Sequence, residues 1–232
     1  MASTYTPLGV EKMATGENAG TWGTKTNTNL NILEQIAGGY VVQTLNAAGA
    51  GANTTTLSVS DGSTGATLAT RVIILGAESP QAITGAKIVT IPLDVENWYL
   101  IKNSTSGAYT VQFKYASGSG DSVTWSTTDK GFKLIYATAN DGTNPDIVDV
   151  LASSSEITLS NNNALKFNDA DNSAAVGFKA PTTVSGAVTW TLPAADATTS
   201  GYALTSNASG TLSWSEAGIS TGKAIAMAMI FG

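Results

Sequence analysis

Tyr109-Thr110-Val111-Gln112-Phe113-Lys114-Tyr115 places an aromatic or β-branched residue at every second position, with Thr, Gln and Lys between them. Successive side chains of a strand point to opposite faces, so this spacing predicts a strand with one buried and one solvated face. Phe132, Leu134 and Tyr136 alternate with Lys133 and Ile135 in the same way. Shorter strands are predicted at 72–75, 87–91, 98–102 and 147–151. Ser104-Thr105-Ser106-Gly107, Ser117-Gly118-Ser119-Gly120 and Asn140-Asp141-Gly142 are turn signals between them. Turns at that interval with no intervening helix predict an antiparallel β-sandwich over residues 41–152.

Composition agrees with a mainly β chain. Only 12% of the 232 residues are charged and 42% are hydrophobic, while Ser and Thr make up roughly a quarter. That is too apolar and too weakly charged for a disordered chain. The net charge of −6 and the lack of any Lys/Arg run argue against nucleic acid or an anionic membrane surface as a partner. There is no cysteine, which removes disulfides and thiolate metal sites. Residues 1–10 have no basic segment followed by an apolar core, so no signal peptide is expected. The longest apolar stretch, 224–231, is far short of the ~20 residues that span a bilayer.

On the amino-terminal side, residues 1–40 hold the one helix expected here. Leu30, Leu33 and Ile36 share a face over 29–37, Thr26, Asn27 and Thr28 can cap the start, and Gly38 or Gly39 can stop it. A helix that short must dock onto something. Gly16 to Gly23 reads as a glycine-punctuated loop, with Trp22 anchoring either on the helix of its own chain or on a partner subunit.

On the carboxy-terminal side, residues 153–221 read as a second β region with short strands near 165–167, 176–180, 188–192 and 212–214. So small a region is poorly able to build a core of its own. A Ser-Gly turn leads into a strand ending in Trp125, Trp190 and Trp214, three matches better explained by separate hairpins than by a repeat. In 222–232, Ile225, Met227, Met229 and Phe231 alternate with alanines as in an apolar strand. Such a strand is an aggregation hazard unless buried, and it is expected to be buried in an assembly.

Catalytic chemistry has little to work with. The chain lacks histidine, so the commonest general base and transition-metal ligand are gone. Asp94 with Glu96, and Asp169 with Asp171, are spaced to share a strand face, and a glycosidase would need such a pair. Asn168 to Ser173 has the look of a calcium loop but lacks its glycine and its distant glutamate, and a solvated hairpin turn is the simpler reading. Gly62-Ser63-Thr64-Gly65 is not followed by the lysine of a phosphate loop. No enzyme activity, cofactor or metal is expected. Trp125, Tyr136, Trp190, Tyr202 and Trp214 could stack on sugars, though core or inter-subunit packing is the simpler explanation.

Gly20-Thr21-Trp22-Gly23 followed by Asn27-Thr28-Asn29-Leu30-Asn31-Ile32-Leu33-Glu34 resembles the amino-terminal segment of tail-fibre and related virion proteins of tailed phages, particularly marine ones. Leu165-Lys166-Phe167, Val176 to Pro181, Val188 to Asp196 and Leu212-Ser213-Trp214 are similar to a short β-module of phage fibres and appendages. The resemblance implies a homotrimer, assembled in the host cytoplasm into a virion, with an amino-terminal part that docks on tail, neck or capsid proteins. On that reading Trp22, Asn27, Asn29, Leu30, Leu33 and Ile36 serve the docking. Trp190, Trp214, Ile225, Met227, Met229 and Phe231 pack against other subunits in an intertwined β-module. The chain ends soon after that module, with no large receptor-binding head. A tail fibre or fibre-anchoring adaptor that supports host attachment is therefore expected, with a head or neck fibre, a capsid decoration protein, or a host-glycan-binding module as alternatives.

Overall fold

The structure is a computed structural model and describes residues 2–46, 53–218 and 221–231. It is mainly β, as the alternation predicts. The chain divides into two compact units, 1–156 and 157–232. Residues 1–40 lie in the first of these units.

The first unit opens with a two-stranded antiparallel ribbon, β1 (Thr4–Tyr5) and β2 (Glu11–Lys12), followed by helix α1 (Trp22–Gly38). The helix is about twice as long as predicted. Trp22 lies in its first turn rather than in a loop, and Thr26, Asn27 and Thr28 are interior rather than capping. Thr21 precedes the helix but makes no side-chain capping bond. The extra turns, poor in strong helix formers, are held by tertiary contacts instead. Lys25 pairs with Glu11 at 3.0 Å, Asn29 binds the Glu11 backbone, and Ile32 is buried. Gln35 donates to Ala66 O and accepts from Gly65 N–H, at 2.9 and 3.1 Å. At the other end the Gly39 N–H closes the helix on Gln35 O, as the sequence anticipates.

Nine strands follow: β3 (Tyr40–Gln43), β4 (Asn53–Thr56), β5 (Val72–Ala82), β6 (Lys87–Ile91), β7 (Asn97–Ser106), β8 (Val111–Tyr115), β9 (Val123–Trp125), β10 (Phe132–Ala137) and β11 (Ile147–Asp149). They form a five-stranded sheet in the order β11-β10-β7-β5-β3 and a four-stranded sheet in the order β4-β6-β8-β9. The sandwich is not antiparallel throughout. From β3 to β8 the chain steps from one sheet to the other at every connection, so β3, β5 and β7 stack in parallel, as do β4, β6 and β8. Three turns of a flattened coil result. Antiparallel pairing enters this unit's sandwich only with β9, β10 and β11: β8–β9 and β10–β11 are hairpins turned at 117–120 and 140–142, where turns were expected, and β10 pairs with the non-consecutive β7. The 104–107 turn instead carries the chain across from β7 to β8 in the opposite sheet.

One core fills the space between the sheets. Ile73, Leu75, Tyr99, Ile101, Ile135 and Ala137 from one side meet Val89, Ile91, Val111, Phe113, Tyr115 and Trp125 from the other. Tyr99 and Phe113 meet edge to face with centroids 6.4 Å apart. The polar tips of the buried aromatics are satisfied: Tyr99 OH donates to Leu68 O, Tyr115 OH to Val95 O, and Trp125 Nε1–H to Gly131 O. Trp125 is thus a core residue rather than a surface aromatic.

The second unit contains two antiparallel hairpins, β12 (Ala164–Asn168) with β13 (Ala175–Lys179), and β14 (Tyr202–Ser206) with β15 (Leu212–Glu216), then helix α2 (Thr221–Phe231). The strand predicted at 188–192 reduces to one parallel bridge, Thr191 with Thr211. The carboxy-terminal segment is a helix, not the predicted strand. Ala, Met and Lys favour helix, and this outweighs an alternation that happens to match a strand.

Candidate interaction surfaces

Of the six residues expected to dock, Asn29 does something else. Its Oδ1 accepts from the Glu11 N–H and its Nδ2 donates to Glu11 O, both at 2.9 Å, so it fastens the amino-terminal ribbon to the helix. The Glu11 side chain is only 3% exposed and is met by Lys25. That hydrogen bond, the largest influence on it, holds the Glu11 carboxyl below the usual glutamate range. Asn27 is exposed. Trp22, Leu30 and Leu33 are 65%, 57% and 49% exposed, and Ile36 is half-buried. These four do form an apolar stripe on α1, since positions 22, 30, 33 and 36 fall within about a third of a turn of one another at 100° per residue.

A second exposed apolar surface was not anticipated. Along the outer face of the five-stranded sheet, Tyr40 is in register with Val72, Leu100 and Leu134, and Trp98 with Tyr136. Lys102 and Phe132 make the next rung. The Arg71 guanidinium lies 4.4 Å from the Trp98 ring centre, and Tyr136 OH donates to Glu96 at 2.7 Å. The alternation at 132–136 signalled this strand, but Ile135 and Ala137 point into the core while the larger Phe132 and Tyr136 point out. Both faces of this sheet are apolar, a pattern common where parallel strands are covered on both sides.

In the second unit, none of the described residues is buried. In the first hairpin Leu165 pairs with Phe178 and Phe167 with Val176, so all four project from one face; Lys166 and Lys179 lie on the other. The four are between 50% and 74% exposed. In the second hairpin Leu204 pairs with Trp214 and Ser206 with Leu212, again gathering the larger apolar groups on one face, with Thr205, Ser213 and Ser215 opposite. Trp214 Nε1–H donates to Ala195 O, so it holds the 189–195 segment, while Trp190 is exposed. In α2, Ile225 and Met229 share one side of the helix and Met227 and Phe231 another. All four are exposed in the single chain, where burial was expected in an assembly.

Of the two carboxylate pairs weighed for chemistry, one shapes a turn. Asp169 and Asp171 both accept from Ser173 N–H, at 2.9 and 3.0 Å, and Asp169 also accepts from Ala174 N–H. Ser173, through its side chain and backbone, holds the Asp171 carboxyl below its ordinary range. This is a self-satisfied hairpin turn, as the sequence suggests. Asp94 and Glu96 sit together in the connection before β7, beside the amino-terminal ribbon. No described helix is long and apolar enough to cross a membrane.

No family model, curated protein or solved structure matches the chain.

Proposed function

We propose that the chain is a structural subunit of a bacteriophage virion, a trimeric tail fibre or fibre-anchoring adaptor that supports host attachment and performs no catalysis. The observation that carries this reading is the second unit, whose larger apolar side chains gather on single hairpin faces while none of its described residues is buried. A lone two-stranded hairpin is marginal in water. Burying the exposed Leu165, Phe167, Val176 and Phe178 against identical faces of other copies stabilises each by about 1–2 kcal/mol. Closed homo-oligomers supply such faces by symmetry. Residues 1–40, with the stripe on α1, form the end that attaches to another virion protein of tail, neck or capsid.

Multi-angle light scattering of the full chain, and of a chain lacking 221–232, tests this. A trimer that dissociates or aggregates on truncation supports a fibre closed by its own carboxy-terminal helix. A monomer in both samples overturns the trimeric reading.

A second reading, a module that binds a host glycan, draws on Trp98 and Tyr136 side by side on the outer sheet face, with Glu96 at the Tyr136 hydroxyl and the Arg71 guanidinium over one face of the Trp98 ring. Sugar stacking on that platform would change tryptophan fluorescence when the chain is titrated with host polysaccharide, and Trp98→Ala would abolish the change. An unchanged spectrum would remove this reading.

A further inference from the structure

The groove beside α1 carries an inference about what the attachment end takes. Leu33 and Ile36 of the helix and Leu8 and Val10 of the amino-terminal segment line an open groove of about 400 Å³, and Asp94 and Glu96 stand on its border. Next to it, sharing Thr6, Pro7 and Asp94, is a second open cavity of about 470 Å³ that adds Asp61. The two together present three carboxylates over an apolar floor, and no lysine or arginine lines either. The floor runs on into the exposed Leu30 and Trp22 of the same helix.

We propose that this groove binds a polypeptide segment of a different protein, one whose apolar side chains fill the floor and whose lysine or arginine residues meet Asp61, Asp94 and Glu96. The proposal rests on the reading of residues 1–40 as the attachment end. Charge decides the partner's chemistry. An acidic segment would bring like charges together at the rim, and a neutral apolar one would leave three carboxylates facing an uncharged surface. A second copy of this chain fits poorly, because the protein itself carries 17 acidic against 11 basic residues. The fold makes the groove a prepared site. Asn29 and Lys25 hold the ribbon that forms one wall, and Gln35 pins the helix that forms the other.

The test uses the full chain and three labelled synthetic peptides, one alternating leucine with lysine, one leucine with glutamate and one serine with lysine, read by fluorescence anisotropy. Saturable binding of the leucine–lysine peptide alone is expected. The affinity should fall at least about fivefold in Asp94→Asn/Glu96→Gln and in Leu33→Ser, and should weaken as salt rises. Both variants lie at the surface, and unchanged circular dichroism and thermal midpoint verify that they fold. Equal binding of the glutamate peptide, binding of the serine–lysine peptide as tight as the leucine one, no binding at all, or indifference to both variants would each overturn the proposal. So would a Leu33→Ser chain whose light-scattering mass drops, since the groove would then be a contact between copies. The same light-scattering run separates the two readings. A trimer that binds no peptide removes the groove alone, and a monomer that binds it removes the trimer alone.

Discussion

Asn29 engages both backbone groups of Glu11, accepting from its N–H and donating to its carbonyl at 2.9 Å each, across eighteen residues of chain. One amide side chain does there what a third ribbon strand would do. Asn29→Ala leaves a partly buried N–H and carbonyl without partners and should cost about 1–3 kcal/mol. Asn27→Ala, at an exposed position of the same helix, should change stability by less than about 0.5 kcal/mol. Urea unfolding of the two variants separates them. Hydrogen exchange should show the loss of protection in Asn29→Ala concentrated at residues 4–12.

Acid should loosen the same region, and the β10–β11 turn with it. Lys25 holds the Glu11 carboxyl below the usual glutamate range, and the backbone N–H groups of Asn144 and Thr143 do likewise for Asp141. A folded-state pKa below the unfolded one gives stability that is fully present above the unfolded value. That stability disappears as pH falls through the folded one. The unfolding midpoint should therefore hold steady near neutrality and decline below about pH 4.5. In Glu11→Gln the neutral-pH midpoint should be lower and the acid decline shallower. An identical slope in wild type and variant would show that Glu11 is not a source of the decline.

Gly76 sits where the register between β5 and β7 shifts, with φ of +114°. A Cβ there would collide with the carbonyl oxygen of Ser104 on the neighbouring strand. Gly76→Ala combines an unfavourable backbone angle with that collision and should destabilise by about 2 kcal/mol or more. Gly142, in the β10–β11 turn, has open space around it, and Gly142→Ala should be tolerated. Thermal melts of the two variants should differ by several degrees.

Lys87 is 1% exposed and, among the described residues, its Nζ has no hydrogen-bond partner. Alternation along β6 points it to the same side as Val89 and Ile91, toward the core. An unsatisfied polar group in such a place costs free energy that an apolar chain of similar length does not. Lys87→Met should thus raise stability by about 1–3 kcal/mol. A lower denaturation midpoint for the methionine variant would show that the amine is satisfied in solution.

Particular residues show what was legible in the sequence. Val111 to Tyr115 and Phe132 to Tyr136 were readable because period-two alternation is a property of a single strand. Whether β8 lies parallel to β6 was not readable, because alternation is the same for either direction and the coil's successive turns share no repeated motif. Helix α1 was readable only from Asn29 onward, where leucine and isoleucine recur. Its first turns depend on Glu11, a partner far upstream that no local pattern announces. For the same reason Asn29 looked like a docking residue and is a clamp. At the other end, Ile225 to Phe231 fits a strand by period and a helix by composition, and composition prevails. The stripe of Trp22, Leu30 and Leu33 was visible as apolar residues needing a partner, but the carboxylates beside it come from a loop some sixty residues later.

Two tryptophans that share the same Ser-Gly-led sequence pattern should behave oppositely. Trp125 is wholly buried in the sandwich core, so Trp125→Ala should cost about 3–5 kcal/mol and lower the melting temperature of the first unit whatever the state of association. Trp190 is 64% exposed in the single chain, and Trp190→Ala should leave that melt unchanged. If copies associate through the second unit, its apolar hairpin faces become the core that one chain lacks. Phe167→Ser with Phe178→Ser should then shift the light-scattering mass toward the monomer without altering the unfolding of residues 1–156. Should the double variant instead keep its full mass while the first unit melts early, the hairpin faces do not join the copies.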